Sequence, residues 1–253
     1  MWTACSRVPV SGRRQFRMLP EGMVSNMGTA NYHSFMEEHP VLPSGDPRAD
    51  MVHRTGDRIA NAVVDYLENT GQARRVRDFD WEFNLVESEQ VNAWAMPGGK
   101  VAIYTGILDL TRDEEGLAVV MAHEIAHAVA RHGNERMSQQ LLIMMGAVSL
   151  EVAMQEKPEM TRDIFMMAYG AGSALGSLAY SRQHEYEADA LGMVFMAMAG
   201  YDPARTISFW ERMLGYSGGS DIPQFLSTHP SNEARIQAAK DYLPEAMEYY
   251  KKI

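Results

Sequence analysis

His123, Glu124 and His127 stand in the middle of DEEGLAVVMAHEIAHAVARHG, residues 113–133, which is otherwise apolar almost all the way round. A helix of that composition belongs inside a protein, and ionisable groups buried there are costly unless something satisfies them. At about 3.6 residues per turn, positions i and i+4 lie nearly above one another. His123 and His127 therefore point the same way and can share one zinc ion. Glu124 sits roughly a quarter-turn aside, where a carboxylate can reach a water held by the metal. The H-E-x-x-H spacing is thus that of a hydrolytic metal site. Thr111 and Glu114 have the spacing of a capping box at the helix start. Arg131 and His132 fall in its last turn, and Gly133 supplies the stop.

Two histidines do not complete a catalytic zinc site; a third protein ligand is needed, with one position left open. His132 lies five residues past His127 and is turned off the metal-facing side of a continuous helix. The metzincin pattern requires Gly at 130 and His at 133, whereas this chain has Ala130 and Gly133. The better source is SRQHEYEADALG, residues 181–192. Glu185 and Asp189 stand there at i and i+4 on one face. Glu185 can bind zinc while Asp189 accepts the free ring N–H of a ligand histidine, fixing its tautomer. His184 is a lesser candidate ligand, and Glu187 reads as a surface residue.

The elements that must position these groups follow from periodicity. Residues 1–20, with Arg13, Arg14 and Arg17, read as an exposed basic tail, and residues 21–253 as one domain of the α+β class. Helices are expected from Glu21 to Glu38 and from Asp46–Pro47 to Asn69. Short strands then follow at Phe79–Val86, Val91–Met96 and Lys100–Tyr104, the last two joined by Pro97-Gly98-Gly99. Beyond the His123 helix the pattern predicts helices at Asn134–Gln155, Thr161–Tyr180, Arg182–Ala199 and Ala204–Leu214. A Gly/Ser loop at Ser217–Ser220 precedes a last helix that Ser231 caps and Pro244 interrupts. The strands predict a small antiparallel sheet.

Of the 253 residues, 46% are hydrophobic and 22% charged, which suits a chain with a real core. A net charge of -10 argues against nucleic acid as a partner. Twenty methionines, including Met144-Met145 and Met166-Met167, read as adaptable core filler. Ile164–Tyr180 is the nearest approach to a membrane span, but its Gly, Ser and Ala content reads as a tightly packed core helix. Cys5 is the one cysteine, so no internal disulfide forms. Its setting, Trp2-Thr3-Ala4-Cys5, has the small residues that precede a lipidated cysteine, although no apolar run stands before it.

At this point the motifs carry a resemblance. HEIAH followed by E-x-x-A-D (Glu185, Ala188, Asp189) resembles the gluzincin metallopeptidases of the HtpX and BepA type, metallopeptidase family forty-eight. Asn92-Ala93-Trp94-Ala95 with Pro97-Gly98-Gly99 is similar to that family's N-A-F-A-x-P-G-G hairpin. His229-Pro230 with Arg235-Ile236 is similar to its late H-P-x-x-x-x-R-I element. Residues 6–14 resemble the opening of its soluble or lipid-anchored bacterial members and of the mitochondrial stress protease.

The resemblance implies a zincin-like fold and a protein or peptide substrate. His123, His127 and Glu185 match the zinc ligands, Glu124 the general base and Asp189 the acid that orients a ligand histidine. Asn92, Ala93 and Trp94 match the strand on which substrate lies. His229 matches a histidine that can close on the zinc and hold such enzymes inactive. Arg235 either steadies the transition state or anchors the last helix. A bacterial envelope location on the periplasmic side, with a membrane tether through Cys5, also follows from the resemblance. The alternative is a closed-site zinc protein that acts as a chaperone-like binding module. A deformylase-type amide hydrolase would need a cysteine ligand, and Cys5 lies in the wrong place for that.

Overall fold

The structure, a computed structural model, describes residues 5–157, 159–216, 224–230 and 232–250. It opens with an antiparallel pair, β1 (Cys5–Arg7) and β2 (Arg14–Phe16). Helices α1 (Glu21–Glu38) and α2 (Pro47–Asn69) follow. Strands β3 (Glu82–Val86), β4 (Ala93–Met96) and β5 (Lys100–Tyr104) come next. The rest is helical: α3 (Leu108–Thr111), α4 (Glu114–Ala130), α5 (His132–Met154), α6 (Glu159–Met198), α7 (Arg205–Tyr216), α8 (Gln224–Thr228) and α9 (Glu233–Tyr250). The architecture is α+β and mostly helical, as the strand and helix periodicities predict.

Local chemistry explains the helices nearest the site. Asp46 starts α2 by accepting a hydrogen bond from the Arg48 N–H, with Pro47 in the first turn. Val52, Ile59, Val63 and Leu67 then bury one stripe against the core. In α4 the cap is Asp113, whose carboxylate accepts from the Gly116 N–H at 2.8 Å. Thr111 instead ends α3, and Glu114 turns to Arg54 and Tyr201, so the expected capping box does not form. Nearly every residue of α4 is buried. It lies against the C-terminal half of α6, where a Cβ on Gly192 would meet the His123 backbone nitrogen at 3.2 Å. That missing side chain lets the two helices approach closely at the point where His123 sits.

The sheet order is β3-β5-β4. β5 is central and wholly buried, antiparallel to β4 but parallel to β3. The expected antiparallel sheet is therefore a mixed one. β5 is apolar on both faces and needs neighbours on both sides, and side-chain alternation carries no information on strand direction. β4 is left as an edge strand.

Four further expectations change. Residues 5–16 are not an exposed arm: Arg13 bridges Glu135 and Glu187 at 2.7 Å each. The two helices expected at Thr161–Tyr180 and Arg182–Ala199 are one, α6 (Glu159–Met198), because Tyr180 and Ser181 carry no helix stop. The first turns of its N-terminal half form an exposed hairpin with α5, so residues 164–170 do not lie in the core and Met144, Met145 and Met167 are not core filler. Finally, α9 continues through Pro244 to Tyr250, held by fully buried Ala246 and by Tyr249 packed edge-on against Tyr66. Asn232 caps it, accepting from the Arg235 N–H at 2.9 Å. Ser217–Ser220, Ser231 and the Cys5 side chain lie outside the described residues.

Arg13→Ala removes the guanidinium shared by two buried carboxylates and is expected to cost about 3 kcal/mol. Burial alone would raise the Glu187 carboxyl, but His132, Arg13 and Ser11 lower it from 4.5 to about 2. The contribution of this pairing is therefore complete above about pH 4.5 and lost as pH falls towards 2. Urea unfolding of wild type and variant at pH 7 and near pH 3 checks both the loss and its narrowing in acid.

Candidate metal centre

Four donors converge at the centre of the molecule. His123, His127, Glu185 and His229 each offer one ligand atom, all within 4.8 Å of one another. His123 Nε2 lies 3.1 Å from His127 Nε2, 3.2 Å from His229 Nδ1 and 3.4 Å from Glu185 Oε2. His127 Nε2 is 3.4 Å from Glu185 Oε1, and His229 Nδ1 is 2.9 Å from Glu185 Oε2. A tetrahedral ion with donors at about 2.0–2.1 Å has donor–donor edges of roughly 3.3–3.4 Å. The spacing fits such an ion.

The chemistry of the donors fits as well. Three imidazoles turn ring nitrogens towards one point, which only a proton or a cation makes favourable. Burial presses the His123 imidazolium down, yet Asp189 and Glu185 raise it to about 9. Burial lowers His127 to about 3. Burial alone would raise the Glu185 carboxyl, but His127, His123 and His229 hold it well below its ordinary value. The carboxylates thus favour positive charge beside His123, while burial keeps the His127 ring neutral with a lone pair to offer; a divalent cation would supply the charge in place of the proton on His123. Buried Oε1 atoms of Glu185 and Glu124 have no hydrogen-bond partner, the mark of a site arranged for a guest.

Each donor is fixed by a different element. His123 and His127 come from α4, one turn apart. Glu185 comes from α6, three residues beyond Arg182. His229 follows α8, which is pinned to the strand region by the Phe225 N–H donating to the Val91 carbonyl at 3.0 Å. Glu124 Oε1 stands 3.4 Å from His229 Nε2.

Two chains of polar contacts hold the histidines. On one side, His123 Nδ1 lies 3.0 Å from Asp189 Oδ1. Arg235 in turn donates two hydrogen bonds of 2.7 Å to Asp189 and stacks over Trp210, 3.9 Å from its ring centroid. Arg235 also reaches Glu185 Oε2 at 3.3 Å. On the other side, His127 Nδ1 lies 2.9 Å from His132 Nδ1, and His132 Nε2 lies 2.9 Å from Glu187 Oε2. Burial lowers His132 to about 4, so its ring is neutral near pH 7. A neutral ring that donates Nε2–H to Glu187 presents Nδ1 as the acceptor for His127 Nδ1–H. That leaves His127 Nε2 free for a metal.

This second chain escapes sequence reading. The His123 helix stops at Ala130, not at Gly133, because Arg131 adopts a left-handed conformation with φ 59°. His132 therefore begins a new helix and swings back to His127 instead of pointing away. Glu187 is buried beside it, not on the surface, with Ser11 and Arg13 as partners. His184 is not among the four donors; it stacks on His132 at 4.1 Å and lies 3.2 Å from Glu135. No residue spacing announces a left-handed arginine, so neither contact had a signal.

A cleft of about 390 Å³ reaches two of the donors, His127 and His229, and is lined also by Asn92, Ala93, Trp94 and Glu124 among others. Asn92 and Ala93 are buried, and the Asn92 carbonyl accepts from the Tyr104 N–H. Trp94 donates from its ring nitrogen to the Tyr104 hydroxyl at 3.2 Å. The outer edge of β4 has no strand partner among the described residues.

Imidazole and carboxylate donors gathered beside a cleft that an edge strand also lines are an arrangement suited to a metallopeptidase. Residues 51–243 match the model of peptidase family M48, and the chain belongs to that family. It is similar to the mitochondrial metalloendopeptidase OMA1 of Schizosaccharomyces pombe, 33% identical over 253 residues, 97% of this chain and 68% of that protein. The Saccharomyces cerevisiae counterpart is 30% identical, covering 98% of this chain and 72% of its own length. The β-barrel assembly-enhancing protease of Escherichia coli is 30% identical over 166 residues, 64% of this chain and 34% of that protein.

His132→Ala is expected to weaken metal binding about 10- to 100-fold, measured by competition with a chelator of known affinity. His132→Asn, which retains a polar side chain, should recover part of the loss. An unchanged affinity in the alanine variant would remove His132 from the site.

Proposed function

We propose that the chain is a zinc-dependent endopeptidase that hydrolyses unfolded or damaged proteins. His123, His127 and Glu185 hold the zinc, and Glu124 is the general base. The observation that carries this reading is the convergence of His123, His127 and Glu185, with His127 and Glu124 facing a cleft that β4 also lines. When bound there, zinc lowers the pKa of water and polarises the scissile carbonyl.

The chain's own residues do the rest. A substrate segment lies along Asn92–Met96 as an added strand, held through its backbone, which favours extended polypeptide over folded protein. Glu124 takes the proton of the attacking water and delivers it to the leaving amine. Asp189 fixes the tautomer of His123, and Arg235 holds Asp189 in place. That engagement makes Arg235 a positioning residue rather than a donor to the oxyanion. A cell-envelope location remains part of this proposal.

His229 stands where a fourth ligand would close the site, which favours a second element of the reading: this is a resting form. Substrate binding along β4 moves α8 and withdraws His229. The same observation is the one that favours the alternative of a closed zinc protein with chaperone-like binding.

Glu124→Gln should retain about one zinc per chain, read by metal analysis, and lose about a thousandfold or more of casein cleavage, since base and proton donor go together. Wild-type activity should vanish with 1,10-phenanthroline and return with added zinc. His229→Ala should keep zinc and cleave faster than wild type. Slower cleavage would make His229 part of the chemistry, and no cleavage by either protein would favour the binding module.

A further inference from the structure

The hairpin made by α5 and the first half of α6 has no part in the site described above. It is two packed helices: the Tyr169 hydroxyl donates to the Ile143 carbonyl at 2.8 Å, and its ring stands over Gly146. Between residues 139 and 170 no described residue is buried. α5 has the length and composition of a membrane-crossing helix, with a mean hydropathy of 1.3, yet only 6% of that apolar window is covered by protein. A core helix would be mostly buried, so α5 is not one.

The exposed apolar surface is not a single stripe. Leu142 and Met144 are 51% and 63% exposed, and Phe165 and Met167 are 50% and 75% exposed. Residues two apart point to nearly opposite sides of a helix. A partner protein or a second copy docks against one side and leaves the other in water. A lipid phase covers every side at once, and helices apolar round most of their circumference are the form that suits it.

Charge marks the same boundary on both helices. No charged residue stands between Arg136 and Glu151, or between Asp163 and Arg182. At 1.5 Å per residue these runs are roughly 21 and 27 Å long, against a hydrocarbon thickness of about 30 Å. Glu151, Glu156, Lys157, Glu159, Arg162 and Asp163 cluster at the tip, while Arg136 and Arg182 stand at the base. The long side chains at the ends reach past a small mismatch.

We infer that the α5–α6 hairpin is a membrane anchor, inserted in a lipid bilayer up to Arg136 and Arg182. α5 leaves directly from the His123 helix, and Glu185 lies one turn beyond Arg182. Insertion therefore holds the donor group within about one helical turn, some 5 Å along α6, of the bilayer surface. If the peptidase reading holds, on which this consequence rests, the cleft receives polypeptide segments close to a membrane.

Flotation of the purified full chain with vesicles of phosphatidylcholine and phosphatidylglycerol tests the anchor without using activity. Wild type should float with the vesicles at low and at high salt, and Cys5→Ala should float equally. The variant Leu142→Glu/Met144→Glu/Val148→Glu/Met167→Glu should lose about tenfold or more of the bound fraction, with an unchanged circular dichroism spectrum and zinc content. The inference is overturned if wild type stays with the free protein, or if the four-fold variant floats as well as wild type. It is also overturned if light scattering shows a vesicle-free dimer that the substitutions dissociate while neither form floats, since a second copy then covers the hairpin. If flotation succeeds and no form cleaves casein, the peptidase reading fails and the anchor stands.

Discussion

A helix buried on all sides cannot carry two imidazoles and a carboxylate unless charge is returned to them from outside, and most of this fold is arranged around that return. α6 approaches α4 closely at Gly192 and brings Glu185 and Asp189 to the histidines. α9 and α7 then neutralise Asp189 through Arg235, whose guanidinium is sandwiched between a carboxylate and the Trp210 ring. A buried carboxylate without that arginine would be one of the most expensive groups in the molecule. The late helices are therefore coupled electrostatically to the centre from which the core grows.

The opposite flank uses the start of the chain. The end of α4 leaves carbonyls that no helical N–H can satisfy. Arg75 donates to those of Val129 and Ala130, and Gln15 donates to Ala130. Arg13 meanwhile clasps Glu135 and Glu187. Residues 5–16 thus close the helix end from which His132 turns back to His127. The two histidines of one motif are held by unlike means, one through a carboxylate and an arginine, the other through a second imidazole.

α6 divides into two regimes. Its C-terminal half is packed into the core and carries Glu185 and Asp189; its N-terminal half leaves the body with α5 and exposes apolar side chains on more than one side. One continuous helix therefore links the donor group to the hairpin, so the orientation of one fixes that of the other.

The sequence by itself determined the helix-borne donor candidates and the fold class, because both rest on short-range regularities: the i, i+4 spacing of His123 with His127 and of Glu185 with Asp189, the short strand-like runs at β4 and β5, and the Pro97-Gly98-Gly99 turn. The role of β4 as an edge strand came only from its resemblance to a known hairpin. His229 and Arg235 were legible only through their resemblance to a known element, since a loop histidine has no period to betray it. Tertiary structure decided the rest. Direction in the sheet, the burial of residues 5–16, the left-handed Arg131 and the resulting His132–Glu187 chain all depend on which distant groups meet. Composition also put the apolar run of α6 in the core, where its first turns do not lie, because composition records only an aversion to water and not what replaces it.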